Sequence, residues 1–279
     1  MSKVRELLFT VWEWVLGLFC SEKRAGRDIE WYGWRPDTPD YRDHHYEIPE
    51  AHKAGTPAKV DLRPGCPPVY DQGSLGSCTA NAIGALYEFV LKKQLKPDFM
   101  PSRLFIYYNE REVEGTISED AGAEIRDGIK VIAKLGVCPE KTWPYIISKF
   151  TKKPSATAYK EALNHQALKY ERLDNTKVEM LKACLASGYP IVFGFTVYDA
   201  FEGDTVTRTG VLNLPRPEEK SLGGHAVMLV GYDDSRRRFL VRNSWGSDWG
   251  QGGYFSMPYE YVTNPHLADD FWTIRLVEG

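Results

Sequence analysis

The sequence predicts an α+β fold in two lobes with a cleft between them. Two observations carry this. Apolar residues recur at helical spacing between positions 80 and 186, whereas strand-length apolar runs crowd the chain after position 190. The 279 residues suffice for one large domain or two small ones with a sizeable core.

The first element is a short apolar segment, Leu7 to Cys20, preceded by Lys3 and Arg5 and followed by Lys23 and Arg24. It falls short of the ~20 apolar residues that cross a bilayer. Glu13 inside it and the lack of a small-x-small site after it argue against a cleaved signal. Lys3, Glu6, Thr10, Glu13 and Gly17 recur every three or four positions, one narrow polar stripe on a helix. Residues 3–20 are therefore expected to pack against protein or to make membrane-surface contact. Residues 21–57 are proline-punctuated and carry Trp31, Tyr32, Trp34, Tyr41 and Tyr46, which suits an extended arm that packs on something. The division expected is an N-terminal extension, residues 1–57, and a folded domain, residues 58–279.

Within that domain, Ile83, Leu86, Tyr87 and Val90 predict a helix over Ala80–Leu95, ended by Pro97. Ser102 caps a second that reaches Tyr108. Ile125, Ile129 and Ile132 predict a third over Ile125–Leu135 with Gly136 as its stop, and Val178–Ala186 is a fourth, closed by Gly188. Strands follow at Ile191–Val197, Ala226–Tyr232, Arg238–Arg242, Gly253–Met257 and Phe271–Leu276. Residues 201–223 read as a loop, a flap or a plain insertion. Arg236-Arg237-Arg238 reads as a solvated hairpin turn.

Bulk properties narrow the function. A net charge of −3 with both signs mixed gives no global field for nucleic acid, and no nucleic-acid partner is expected. Cys20, Cys66, Cys78, Cys138 and Cys184 are odd in number and scattered, with no Cys-x-x-Cys pair. That argues against structural zinc and a dense disulfide framework, and favours a reducing compartment. Neither metal nor cofactor is expected.

Three segments carry chemistry. Asp71-Gln72-Gly73-Ser74-Leu75-Gly76-Ser77-Cys78 delivers a cysteine to the first turn of a helix. Unpaired N–H groups and the positive dipole end there favour the thiolate, which is the nucleophile. Gly223-Gly224-His225-Ala226-Val227 places a histidine at the head of an apolar strand, 147 positions after Cys78. A histidine in reach of a thiol is a general base. Arg242-Asn243-Ser244-Trp245 ends a strand in an asparagine, whose side-chain oxygen can hold an imidazole in one tautomer. Trp245, with Trp249 nearby, could shield that bond from water. Each segment also has a bland reading: a buried cysteine, a structural histidine, a turn asparagine.

Taken together, the segments resemble the papain family of cysteine peptidases. Val60-Asp61-Leu62-Arg63 is similar to the start of the family's mature domain. Gln72-Gly73-x-x-Gly76-Ser77-Cys78, Gly224-His225-Ala226-Val227 and Asn243-Ser244-Trp245-Gly246 are similar to its three site blocks. Asp120-Ala121-Gly122, then Gly136 and Trp143-Pro144-Tyr145, are similar to its cleft-wall segment. The 147-residue spacing falls in the ~130–150 window of that family. The resemblance covers roughly residues 58 to 275. It implies a papain-like fold, a helical lobe with the nucleophile helix and a β-rich lobe with the histidine and asparagine. It implies a protein or peptide substrate, Cys78, His225 and Asn243 as catalytic residues, and Gln72 with the Cys78 N–H as oxyanion hole. Trp245, Trp249, Gly122 and Gly224 would support the site and wall the cleft.

The sequence also departs from the family. Leu75 stands where many members have a disulfide cysteine, and Thr79 where tryptophan is usual. With no helical propeptide pattern, the chain resembles a bacterial, xylellain-like branch, so a bacterial cytoplasm or envelope is expected over disulfide-stabilised secretion. The arm is expected either to cover its own cleft as an inhibitor or propeptide, or to pack elsewhere as a belt. An endopeptidase leads; an exopeptidase, an acyltransferase of transglutaminase type on the same site, and a silent binding module stay open.

Overall fold

The computed structural model of the protein describes residues 32–278. The helix expected at residues 3–20, with its membrane contact, lies outside them. Among the described residues no helix is long and apolar enough to cross a membrane.

Helix α1, Cys78–Lys93, starts two residues earlier than its apolar period, because the polar Thr79 is bonded inward rather than left to solvent. It ends before Leu95, which leaves helical geometry at φ 55°. Helix α2, Arg103–Glu114, is capped by Ser102, whose Oγ accepts the Phe105 N–H at 3.1 Å. It runs six residues past Tyr108, to left-handed Gly115. The extension carries no apolar signal because Asn109, Glu110 and Arg111 are buried there; Arg111 donates to the carbonyls of Ile117 and Glu119. Helix α3, Ile125–Lys134, and helix α5, Val178–Ala186, fall where the periodicity puts them. Between them stands α4, Ala156–Ala162, capped by Ser155 and too short for the sequence pattern to reveal.

The strands are β1 (Trp34–Arg35), β2 (Lys59–Asp61), β3 (Ala123–Glu124), β4 (Ala167–Leu173), β5 (Ile191–Tyr198), β6 (Ser221–Asp233), β7 (Arg238–Arg242), β8 (Tyr254–Pro258) and β9 (Ala268–Val277). One antiparallel sheet has the order β4-β9-β5-β6-β7-β8, and β2 continues the edge of β6 beyond the start of β5. Strand β4 escapes the sequence reading because it is an edge strand, ALKYERL, with polar residues over most of its length. Residues 234–237 make the β6–β7 turn, as the arginine run suggests.

The central strands alternate between two cores. Val192, Ala226, Met228, Val230, Trp272 and Ile274 face the helices, whereas Phe193, Phe195, Val227, Leu229 and Phe271 fill the opposite face. This double burial explains the near-continuous apolar runs. Residues 201–223 are no plain loop. Short helices Asp199–Glu202 and Asp204–Thr209 drive Phe201 into the second core, and β6 begins at Ser221.

Candidate active site

Cys78 is the first residue of α1 and is fully buried. Its Sγ accepts the backbone N–H of Ala226 at 3.4 Å, which puts β6 directly against the helix end. His225 is the residue before. Its Nε2 is 2.8 Å from Asn243 Oδ1, and the same oxygen accepts the Ser244 N–H at 2.8 Å. A backbone N–H can only donate, so the atom facing it is oxygen and His225 Nε2 is the proton carrier. In the neutral ring Nδ1 is then the basic nitrogen. Asn243 follows the last residue of β7 and is tied down by its own N–H, bonded to the Gly253 carbonyl at 3.0 Å. The structure thus brings all three sequence-predicted residues together.

Aromatic rings seal the histidine. Trp245 lies 5.1 Å from its ring at 33°, and Trp249 stands edge-on to Trp245 at 5.3 Å. Phe195 and Phe201, 5.9 and 6.1 Å from the imidazole, complete the shell; neither has a sequence signature.

Gln72 is buried beside them. Its Oε1 accepts the Ser244 hydroxyl at 2.6 Å and its Nε2 donates to the Leu75 carbonyl at 3.0 Å. An amide has two N–H donors, so one remains after that bond. The loop carrying Gln72 is fastened by Tyr145 and Asp120, from the expected cleft-wall segment, and by Arg103, which the sequence does not mark. Tyr145 donates its hydroxyl to the Gln72 carbonyl at 2.8 Å and shares a 2.6 Å hydrogen bond with Ser77 Oγ. Arg103 lies 4.0 Å over the Tyr145 ring and donates to the Asp71 carbonyl at 2.9 Å. Asp120 accepts the Gly76 N–H and the Tyr107 hydroxyl, joining the nucleophile loop to the cleft wall at Gly122. One net hydrogen bond is worth about 1 kcal/mol, and ~1.4 kcal/mol is tenfold in rate. Tyr145→Phe is therefore expected to lower kcat roughly 5- to 10-fold. KM should stay nearly unchanged, since an oxyanion hole acts on the transition state. Steady-state kinetics check this; a rise in KM alone would contradict it.

Thr79 has a partner that the sequence conceals. Its hydroxyl donates to Glu110 Oε2 at 2.9 Å, and burial holds the Glu110 carboxyl well above the usual carboxylate range. A side chain on Gly128 would run into Glu110, so this glycine gives the carboxyl room.

The arm enters the site. The Tyr32 ring lies 6.0 Å from the His225 ring, edge to face, and its hydroxyl donates to Glu202 at 2.6 Å. Gly33 is wedged between the walls: a Cβ there would strike the Gly76 carbonyl, and one on Gly122 would strike Gly33. The Gly33 carbonyl accepts the Ala123 N–H at 2.8 Å, so β1 pairs in parallel with β3. Trp34 spreads over Gly194 and Gly224 and donates its indole N–H to Asp270 at 3.1 Å. Gly122 and Gly224, expected as cleft wall, both lie directly against the arm, at Gly33 and Trp34. Burial accordingly pushes the Cys78 thiol up to about 12, although N–H groups of Ala226 and Gly33 facing the sulfur oppose the rise.

Comparisons with known proteins give the family and the fold. The family model described as papain family cysteine protease matches residues 56–270. An uncharacterized peptidase C1-like protein of Acanthamoeba polyphaga mimivirus is 52% identical over 215 residues, covering 74% of this chain and 69% of its own. The crystal structure of xylellain, a cysteine protease from Xylella fastidiosa, is similar at a TM-score of 0.84 and 49% identity, over 88% of this chain and 96% of that one. Procathepsin B of Trypanosoma congolense, at 18% identity and a TM-score of 0.71 over 88% and 87%, shares the fold.

Proposed function

This chain belongs to the papain family of cysteine peptidases, and from that premise we propose that it is an endopeptidase driven by Cys78, His225 and Asn243 and held inactive by its own arm. The observation that carries the reading is the contact set of β6 and β7. Ala226 donates to the sulfur, while His225 Nε2 is committed to Asn243 Oδ1, which leaves Nδ1 for the thiol proton. His225 takes that proton, and the thiolate adds to the peptide carbonyl carbon. The displaced π electrons settle on oxygen, which accepts hydrogen bonds from the Cys78 N–H and Gln72 Nε2. Imidazolium gives its proton to the leaving nitrogen, the C–N bond breaks, and a thioester remains. Water, deprotonated by His225, adds to the thioester carbon, and the carboxylic acid leaves as the C–S bond breaks.

Internal cleavage is favoured by the path of the arm. Tyr32 lies beside the His225 ring, Gly33 against Gly122 and Trp34 over Gly224, so several consecutive residues of a chain fit along the cleft. The scattered cysteine pattern supports a bacterial cytoplasm or envelope over disulfide-stabilised secretion. The test uses a peptide blocked at both ends, an added amine and mass spectrometry, with the arm loosened by Trp34→Ala. Internal cleavage to a free acid is the expected product. Amine adducts would make the enzyme a transferase, and cleavage only of unblocked ends would make it an exopeptidase.

A further inference from the structure

Arm and body meet again beyond the cleft, in a buried cluster of charges. From the arm come Asp37 and Asp43, with side chains 0% and 2% exposed. From the body come Arg126, in the first turn of α3, Arg172 on β4, and Asp269 and Asp270 on β9. Arg126 grips the arm four ways. Its Nε and Nη2 bind the Asp43 carboxylate at 3.1 and 2.5 Å, its backbone N–H reaches Asp37 at 2.9 Å, and its Nη1 bonds the Thr38 carbonyl. Arg172 bridges Asp43 at 3.5 Å to Asp270 at 2.9 Å, with Asp269 at 3.3 Å. Both guanidiniums lie over the Trp272 ring, whose indole N–H donates to Asp37 at 2.9 Å. Lys130 adds a half-exposed charge 3.9 Å from Asp43.

Asp270 links this cluster to the cleft. The same oxygen, Oδ2, accepts the Trp34 indole and the Asp37 N–H, at 3.1 and 2.7 Å. It holds φ 59°, an unusual conformation for a non-glycine residue, at the irregularity where β9 leaves register with β5. Burial, with Asp37 alongside, pushes Asp270 up to about 8.

We propose that this cluster is the latch of the arm, with Arg126 as its hub, so that breaking the Arg126–Asp43 pair uncovers Cys78. The proposal rests on the reading that the arm occludes the site, and it assigns the control of that occlusion to residues outside the cleft. The physical reason is an asymmetry. A buried ion pair adds little over an apolar contact, yet losing one partner strands the other as an unpaired buried charge. Here the arm can relieve that strain without unfolding the body, by carrying Asp37 and Asp43 into water.

The experiment compares Arg126→Gln, Asp43→Asn and Trp34→Ala in the full chain. It measures the rate of Cys78 alkylation by iodoacetamide, with a thermal scan to show that the body is folded. Both latch variants are expected to raise the rate about tenfold or more over the unsubstituted protein. Asp43 lies on the arm, so Asp43→Asn decides the matter if Arg126→Gln does not fold. Wild-type rates in Asp43→Asn, beside a fast Trp34→Ala, would overturn the latch and leave the occlusion standing. A slow Trp34→Ala with fast latch variants would uphold the latch and move the grip away from the cleft. Wild-type rates in all three would overturn both.

Discussion

Cys78→Ala, made together with Trp34→Ala so that the arm does not mask the result, is expected to abolish peptide hydrolysis. The loss should be on the order of 10⁴-fold or more, because the substitution removes the atom that bonds to carbon while leaving binding intact. His225→Ala should lose about as much, and the Cys78→Ala, His225→Ala combination little more, since a nucleophile and its base act as one unit. Removing one sulfur from the head of α1 leaves the loop around Gln72, Tyr145 and Asp120 tied as before. The fold should survive, as a thermal scan would verify. Hydrolysis of a fluorogenic peptide undiminished in the Cys78→Ala protein would rule out this nucleophile.

Trp34→Ala alone is expected to raise that hydrolysis by roughly 10²-fold or more. The indole is almost wholly buried over Gly194 and Gly224, and truncating such a ring costs about 3–5 kcal/mol. In the undocked arm the ring is already in water, so the whole loss falls on the docked state and shifts the equilibrium toward an open cleft. Alkylation as a function of pH provides a second readout. With the arm in place the thiol is pushed up to about 12, so only about 10⁻⁵ of it is thiolate at pH 7. Its alkylation should climb tenfold per pH unit with no plateau up to pH 9. With the arm displaced, burial no longer opposes the charge and His225 can pair with it, so the rate should level off well below pH 8. Equal rates at pH 7 for the two proteins would mean that the arm does not restrain Cys78.

The two effects separate chemistry from access, and the sequence speaks to them unequally. Cys78, His225 and Asn243 stand in glycine- and tryptophan-marked segments whose order and spacing can be read along the chain. The helices α1, α3 and α5 and the strands β5 to β9 announce themselves through apolar period, because each buries a face or two in a core. Where burial is polar the period fails: Asn109, Glu110 and Arg111 carry no apolar signal beyond Tyr108 although α2 continues through them, and the edge strand β4 shows no strand pattern. The arm's aromatics and prolines point to packing and leave its own cleft and a belt elsewhere as equal alternatives.

The reactive groups and the lobes that carry them are legible along the chain, since they follow from local pattern and fixed order. The placing of the arm beside Cys78 belongs to the folded chain. Gly33, some 45 residues upstream of the fully buried Cys78, sits against Gly76 and Gly122, and Trp34 lies over Gly194 and Gly224. The arm is held by Asp37 against Asp270, 233 positions apart. Such contacts join residues with no shared period or motif, and their energy comes from burial that exists only once both lobes and the arm are in place.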